Sequence, residues 1–479
     1  MEKKDIRTRS PGAESDNSGR TLIGVILLGL LLEAACIEIV RIGDLRTSLT
    51  PVAISGIPIT LLVFWLPFFA AFIVYIVGIL RTSRQESRSD TSVRPAIDRV
   101  TWGILLFAMV FRFTLLLSPA TLSDDIYRYV WDGSVQNHGI NPYLHPPEAL
   151  ETSVYRDGYW TGVNNKHIPT IYPPLLQLAF RTVDAIAHTP LAMKFFFMMC
   201  DLGIIVVLLQ MLRLRKVATS RILIYAWNPL VLVEITGSGH NDSLALLLLL
   251  LSILFMIRDR QVFSIVWLAL SFVAKFFSVV LIPSFYLQVR RIAPFLAFPA
   301  VITLFYMFYI DAGMDLFQGL MVYSDKWRFN DSIFTAVLEM TGSLTGAKIV
   351  IGSIFAVVVL GRLLGGTDHI RTAYILIGAY LLLTPTLQVW YLVWIVPFLC
   401  FYPNRAWILL TGLAMLSYNV LVQFVQTGIW REEIWVRYAE YLPFYILLIG
   451  DAVRRTLGKG TRVERLRTDL EREENALTG

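Results

Sequence analysis

Charged residues are scarce in this 479-residue chain: Asp, Glu, Lys and Arg together make up 16% of it, whereas a soluble domain usually has about a quarter. Hydrophobic residues make up 56%, and the charges fall between apolar runs, many of them long enough to cross a hydrocarbon core of about 30 Å. The strict alternation of apolar and polar residues that is typical of membrane barrels is absent. The sequence therefore predicts an all-α protein, a polytopic transmembrane helical bundle.

Metal and nucleotide motifs are also lacking. The three cysteines, Cys36, Cys200 and Cys400, lie in separate apolar segments, which argues against a disulfide framework or a zinc site. The six histidines form no HExxH pair, and neither a P-loop nor a GxGxxG turn is present. The net charge of +6 fits Lys and Arg on cytoplasmic loops, so no nucleic-acid partner is predicted. The sequence identifies no particular cofactor, and dependence on a divalent cation (Mg or Mn) stays open.

Fourteen apolar segments are predicted to span the membrane, with a count between about 12 and 14. The most basic connections, such as RTSRQESRSD and RLRK, fall on one side under this count, and that side is predicted to be cytoplasmic. Both termini then lie in the cytoplasm, as tails 1–20 and 454–479 on either side of a membrane domain 21–453. The first apolar run resembles a secretory signal, but its length and the spans that follow favour an uncleaved helix. The predicted spans are residues 21–41, 57–80, 100–118, 190–212, 221–235, 243–257, 262–274, 276–289, 292–310, 347–364, 372–386, 390–401, 406–425 and 438–453.

Two long polar segments, residues 119–189 and 311–346, are predicted to lie outside, together with the shorter segment 426–437. Within the first, residues 172–188 carry Arg181 and Asp184 among apolar residues. A span there would place the basic RLRK segment outside. We therefore predict an amphipathic helix along the outer interface.

The stretch SDDIYRYVWDG, residues 123–133, follows the third span directly. Its ordinary explanation is a helix start, with Ser123 as the N-cap and the acids Asp124 and Asp125 facing the positive end of the helix dipole. Two features also favour a catalytic role for these acids. Asp124, Arg128 and Asp132 recur every four residues, so they share one helical face, and aromatic residues interleave with them. A carboxylate beside an arginine at a bilayer surface suits a general base that stays ionised.

Further polar residues interrupt apolar sequence on the same predicted side. His240 and Asp242 in GSGHNDS are explained by capping of a helix or by contact with a substrate. Lys275, between two apolar runs, either extends to the interface or binds a lipid phosphate. Tyr172 precedes a Pro-Pro pair that starts a helix or walls a site. The aromatic residues of TPTLQVWYLVW, residues 384–394, fit a membrane-interface belt by default.

Together these stretches resemble a known family. LSDDIYRYVWDGSVQNHGINPY, YPPLLQL, GHNDSLALLLL, the AKFF lysine and TPTLQVWYLVWIVPFL occur in the order found in polytopic GT-C glycosyltransferases. The chain is most similar to the bacterial mannosyltransferases that use polyprenol-phosphate mannose, over residues 100–401. The acidic loop commonly follows the first span in GT-C enzymes and follows the third here, which puts in doubt any transfer of contacts helix by helix.

The resemblance implies a mechanism and a location. A polyprenyl-phosphate sugar, with mannose as the expected hexose, donates to a glycan or lipid-linked acceptor outside the bacterial inner membrane, with inversion at the anomeric carbon. The loop 119–189 is then catalytic. Asp124 is the first choice for the general base, and Asp125 the second, as a positioning or metal-contacting acid. Arg128 and Lys275 are candidates for the phosphate. Asp132, Tyr172, His240 and Asp242 are candidate substrate contacts.

Two other classes of protein compete with an enzyme. A transporter or flippase would use outer acids and an intramembrane lysine for binding, but such proteins tend to carry internal repeats, and none is visible here. A non-catalytic scaffold leaves the face formed by Asp124, Arg128 and Asp132 without a role. The sequence therefore favours a membrane glycosyltransferase.

Overall fold

A computed structural model describes residues 11–44, 53–54, 57–86, 97–289, 291–365, 368–421, 424 and 428–454. Most of these residues are helical, so the all-α prediction is confirmed. The strands of the described residues are a two-residue antiparallel pair, Ala53–Ile54 with Ile57–Pro58. The predicted cytoplasmic tails lie mostly outside the described residues, although the first helix already begins at Pro11, ten residues before the predicted span.

Six helices of the described residues are long and apolar enough to cross a membrane, so the chain is a multi-pass membrane protein. Four further apolar helices are shorter than a full span, and the count of 12 to 14 spans stays a prediction. The principal helices are α1 (Pro11–Ile42), α2 (Ile59–Glu86), α3 (Arg99–Leu116), α4 (Asp125–Asn137), α5 (Pro174–Ile186), α6 (Pro190–Leu214), α7 (Asp242–Ile257), α8 (Gln261–Ala274), α9 (Ile292–Tyr306), α10 (Gln318–Lys326), α11 (Ile333–Thr341), α12 (Leu344–Leu364), α13 (His369–Leu383), α14 (Arg405–Leu413) and α15 (434–454).

The predicted spans 221–235 and 243–257 do not form a plain hairpin. The first is divided into short helical pieces, and its last part, Pro229–Gly237, meets α7 at an angle of 119°. Gly239 lies in the break with φ +80°, a backbone conformation that glycine adopts without steric cost. The residues 238–241 therefore form a turn between two apolar arms, and this turn carries His240.

The predicted outer segment 119–189 contains two packed helices. The amphipathic helix expected at 172–188 is observed as α5, which starts with Pro174 in its first turn. Helix α4 packs against it at Gly133, where an added Cβ would lie 2.5 Å from the carbonyl oxygen of Phe180. Close packing therefore fixes α4, and with it the acidic stretch, above the membrane helices.

The second predicted outer segment, 311–346, is largely helical and contacts the first. Asn141 Nδ2 donates to Asp311 Oδ1 at 2.9 Å, and just before the segment the Tyr309 hydroxyl donates to Gln136 Oε1 at 2.6 Å. The start of the second segment therefore lies against the first, and the side of the membrane on which both lie stays a prediction.

Candidate functional site

The acidic stretch is the first turn of α4. Asp124 occupies the N-cap position, one residue later than predicted, and its carboxylate caps nothing. Ser123 Oγ instead accepts a bond of 3.3 Å from the backbone N–H of Asp125. Asn164 Nδ2 donates to both acids, at 2.6 Å to Asp124 Oδ1 and at 3.0 Å to Asp125 Oδ1. One amide group therefore holds the two carboxylates side by side.

Asp125 is the acid with the more unusual environment. Its side chain is 22% exposed, and Oδ2 lies 3.9 Å from Nδ1 of His240. Burial, followed by the negative charge of Asp124, raises the pKa of Asp125 to about 6, while Asn164 and Lys275 act in the opposite direction. A carboxyl with a pKa near neutrality suits proton transfer at physiological pH.

The other two members of the predicted face, Arg128 one turn and Asp132 two turns after Asp124, form an ion pair with each other. Arg128 Nε donates to Asp132 Oδ1 at 2.8 Å, and its terminal nitrogen donates to the carbonyl of Ile168 at 3.1 Å. Gln177 Nε2 satisfies the second oxygen of Asp132 at 2.8 Å. Both side chains are almost fully buried, so this pair braces the loop, and contact with a phosphate stays a prediction for Arg128.

His240 lies in the turn between the broken helices. Its ring stacks on Trp390 at a centroid distance of 3.9 Å. Nε2 lies 3.3 Å from Oε2 of Glu234, and the carboxylate of Glu234 accepts the single O–H of Tyr418, which lies 2.8 Å from Oε1 and 3.0 Å from Oε2. Neither ring nitrogen has a hydrogen-bond partner among the described residues. The imidazole therefore stands between two carboxylates, those of Asp125 and Glu234, with bonding capacity left over.

Asp242 and Lys275 form the cationic side of the site. Lys275 Nζ donates to Asp242 Oδ1 at 2.6 Å and to Asn241 Oδ1 at 3.3 Å, and it lies 5.1 Å from the centre of the Tyr391 ring. Trp394 Nε1 donates to the same oxygen of Asp242 at 2.6 Å. An ammonium has three N–H donors, so one is left for a ligand on a side chain that is 18% exposed.

Tyr172 lies against the base of α4. Its ring meets that of Tyr129 edge to face at 5.2 Å, and its carbonyl accepts from the Tyr143 hydroxyl at 2.6 Å. Burial and the negative charge of Asp125 raise the pKa of Tyr172 well above its usual value. The phenol therefore stays neutral and able to donate a hydrogen bond.

Three contributors to the site escaped the sequence analysis: Asn164, Glu234 and Trp394. Asn164 lies in the irregular stretch VNNKH, and Glu234 interrupts an apolar run, VLVEIT, which is a signal for function that could have been used. Trp394 was expected in an interface belt, but it is buried and bonded to Asp242. No cluster of three or more His, Cys, Asp or Glu side chains that could hold a metal ion occurs in the described part of the chain.

These features define a multi-pass membrane protein with an aspartate pair, an imidazole and an ammonium gathered at one end of its bundle. A family model described as alpha-(1->6)-mannopyranosyltransferase, N-terminal domain, matches residues 23–291. The match covers more than half of the chain, which therefore belongs to this mannosyltransferase family. All eight site residues predicted from the sequence lie inside the matched range. No curated protein and no solved structure matches the chain.

Proposed function

We propose that this mannosyltransferase takes mannose from a polyprenyl-phosphate donor and transfers it to a hydroxyl of a glycan or lipid-linked acceptor. The observation that carries the proposal is that Asp125 Oδ2 lies 3.9 Å from His240, while the two residues after His240, Asn241 and Asp242, bind the ammonium of Lys275. In a displacement at an anomeric carbon, a base activates the attacking hydroxyl and a cation stabilises the leaving phosphate. Membership of the family favours this enzyme over the transporter considered from the sequence.

The reaction is a single displacement. Asp125 takes the proton of the acceptor hydroxyl as its oxygen forms a bond to the anomeric carbon. The bond from that carbon to the phosphate oxygen breaks, and the polyprenyl phosphate leaves with the electron pair. The third N–H of Lys275 meets the charge that develops on this oxygen. Attack from the face opposite the leaving group inverts the anomeric centre.

Between the two aspartates, we assign the base to Asp125. The sequence favoured Asp124, which stands first on the predicted helical face. The contacts support the other choice, because Asp125 faces His240 and burial raises its pKa to about 6. Asp124 then acts through its charge, which raises the pKa of its neighbour.

His240 and Asp242 are assigned to the sugar. Both ring nitrogens of His240 and the second carboxylate oxygen of Asp242 are buried without a hydrogen-bond partner among the described residues. An unsatisfied buried polar group costs about 1–3 kcal/mol, and a polyhydroxy ligand would remove that cost. Arg128 and Asp132 are assigned a bracing role, because both are buried and Arg128 is bonded to Asp132 and to the carbonyl of Ile168, while Gln177 binds the second oxygen of Asp132.

The site is proposed to face outward from a bacterial inner membrane, with both termini of the chain in the cytoplasm. The support is the concentration of Lys and Arg in the connections that the sequence assigns to the other side of the membrane. On that side of the membrane nucleotide sugars are not at hand, which favours a lipid-phosphate donor. The loop 119–189 is the catalytic loop under this proposal, and 311–346 is its outer partner.

Donor and sidedness can be tested together in sealed, right-side-out vesicles that contain the protein. Labelled polyprenyl-phosphate mannose should be used when supplied from outside, whereas GDP-mannose should not. Lys275→Met should lower kcat/KM about 10- to 100-fold, because one charge-assisted hydrogen bond is worth about 1.5–3 kcal/mol. Lys348→Met is the matched control, since Lys348 is an exposed lysine paired with Asp325. Equal activity of the two variants, or use of GDP-mannose alone, would overturn the proposal.

A further inference from the structure

Lys194 is a buried lysine that the reaction as described above does not use. It lies in the second turn of α6, and its side chain is 3% exposed. Nζ donates to the carbonyls of Leu116 at 2.8 Å and Ser118 at 2.5 Å, with a longer contact of 3.5 Å to Leu115. All three acceptors are backbone carbonyls.

These carbonyls lie where α3 ends and the catalytic loop begins. The last carbonyls of a helix have no partner within it, and a cation there is favoured by the helix dipole. Asp124 follows only six residues after Ser118. The ammonium of Lys194 therefore holds the first residues of the chain that leads to the aspartate pair.

The stem of Lys194 contacts a second part of the site. An added Cβ on Gly239 would lie 2.8 Å from Lys194 Cγ and 2.7 Å from Ile126 Cδ1. Gly239 directly precedes His240, and Ile126 directly follows Asp125. The stem of Lys194 thus contacts the turn 238–241 beside the start of α4. Its ammonium binds the first residues of the loop between α3 and α4.

We infer that Lys194 is a positioning residue for mannosyl transfer. Its ammonium binds the end of α3, from which the chain leads to the aspartate pair, and its stem packs against Gly239, next to His240. Lys194 thereby fixes the position of the aspartate pair relative to His240 and Asp242. This inference rests on the proposed function, because it assumes that Asp125 and the turn act on the same substrate.

The test replaces Lys194 with Met, which keeps the length of the side chain and removes the ammonium. A small displacement of reacting groups can cost about 100-fold in rate. For Lys194→Met we expect kcat to fall by about that factor with a smaller change in KM, and we expect Lys194→Arg to restore part of it. Ser252→Ala, which breaks one buried hydrogen bond between α7 and α8, should leave kcat unchanged.

Hydrogen exchange separates this inference from the proposed function. Amides of residues 118–126 and 238–242 should exchange faster in Lys194→Met. Unchanged exchange in both segments, or a lower melting temperature with wild-type kcat, would overturn the positioning role. Faster exchange in both segments with wild-type kcat would also overturn it, and would show in addition that transfer does not occur at Asp125.

Gly239→Ala gives a second variant in case Lys194→Met folds poorly. It disturbs the same contact from the opposite side, through the crowding described above and through its φ of +80°. Its kcat should also fall, and the double variant should lose less than the product of the two single losses, because residues in contact are not independent. If the loss of kcat in the double variant equals the product of the two single losses, Lys194 and Gly239 do not act through a shared contact.

Discussion

The start of helix α4, with Asp124 and Asp125, and the ion pair of Arg128 and Asp132 that follows it differ in how their charged groups are bonded. Arg128 and Asp132 are buried and bonded to each other, and further bonds join them to Ile168 and Gln177. Asp124 and Asp125 share one amide donor, and Asp125 stands opposite an imidazole with free bonding capacity. The sequence placed all four residues at the start of one helix, while the structure separates a bonded ion pair from a site.

The difference shows what distinguishes a structural charge from a chemical one. A buried ion pair with complete hydrogen bonding is costly to break because the remaining partner is left uncompensated. A carboxylate with spare acceptor capacity and a raised pKa is poised to take a proton. Variants of the aspartate pair should therefore change activity, and variants of the Arg128–Asp132 ion pair should change stability.

The largest effect is expected at Asp125. Asp125→Asn removes the proposed base and should lower kcat about 100- to 10,000-fold, with the melting temperature preserved because the amide retains the shape of the side chain. Asp124→Asn is the matched control and should lose less than about tenfold. The measurement is transfer of labelled mannose together with thermal unfolding in detergent. Loss of activity at Asp124→Asn equal to that at Asp125→Asn would return the base to Asp124.

The second effect is expected in stability. Arg128→Met leaves Asp132 buried without its cation and should lower the free energy of unfolding by about 3–5 kcal/mol. The fraction that remains folded should retain wild-type KM for the donor, since the guanidinium is buried and bonded to Asp132 and Ile168. Arg405→Met, which removes an exposed pair with Asp451, should cost less than about 1 kcal/mol. A large rise in KM with an unchanged melting temperature would instead assign Arg128 to the phosphate.

Much of the fold followed from the sequence because apolar length and charge placement govern helices in a membrane. The interfacial helix α5 was predicted within two residues at each end. The chain on either side of Gly239 was predicted as two separate spans, but the division of the first into short helices and the angle of 119° were not, because both arms are apolar and nothing in their sequence marks a bend. Sequence spacing placed Arg128 one turn from both Asp124 and Asp132, so it could not tell which acid is the partner. In the structure Arg128 pairs with Asp132.

The site itself was predicted in part. Asp125, His240 and Lys275 were selected for their polar character within apolar surroundings, and the structure brings them together. Asn164 was missed because its role depends on a loop fold that returns forty residues later to meet Asp124. Spacing along the sequence predicts only which side chains are neighbours on the same helix. Contacts between a helix and a distant loop need the tertiary structure.

The smallest predicted effect concerns pH and sharpens the comparison within the first turn. The bond from Asn164 stabilises the carboxylate of Asp125 and lowers its pKa, whereas the charge of Asp124 raises it. A general base acts only when ionised, so kcat of the wild type should rise with pH through about 6 and then level off. Asn164→Ala should move this rise to higher pH, and Asp124→Asn should move it to lower pH. Asn137→Ala, whose amide bonds to Asp184 instead, should leave it in place. A pH profile of kcat that shifts the same way in Asn164→Ala and Asp124→Asn would exclude Asp125 as the titrating group, because the two changes act on its carboxylate with opposite sign.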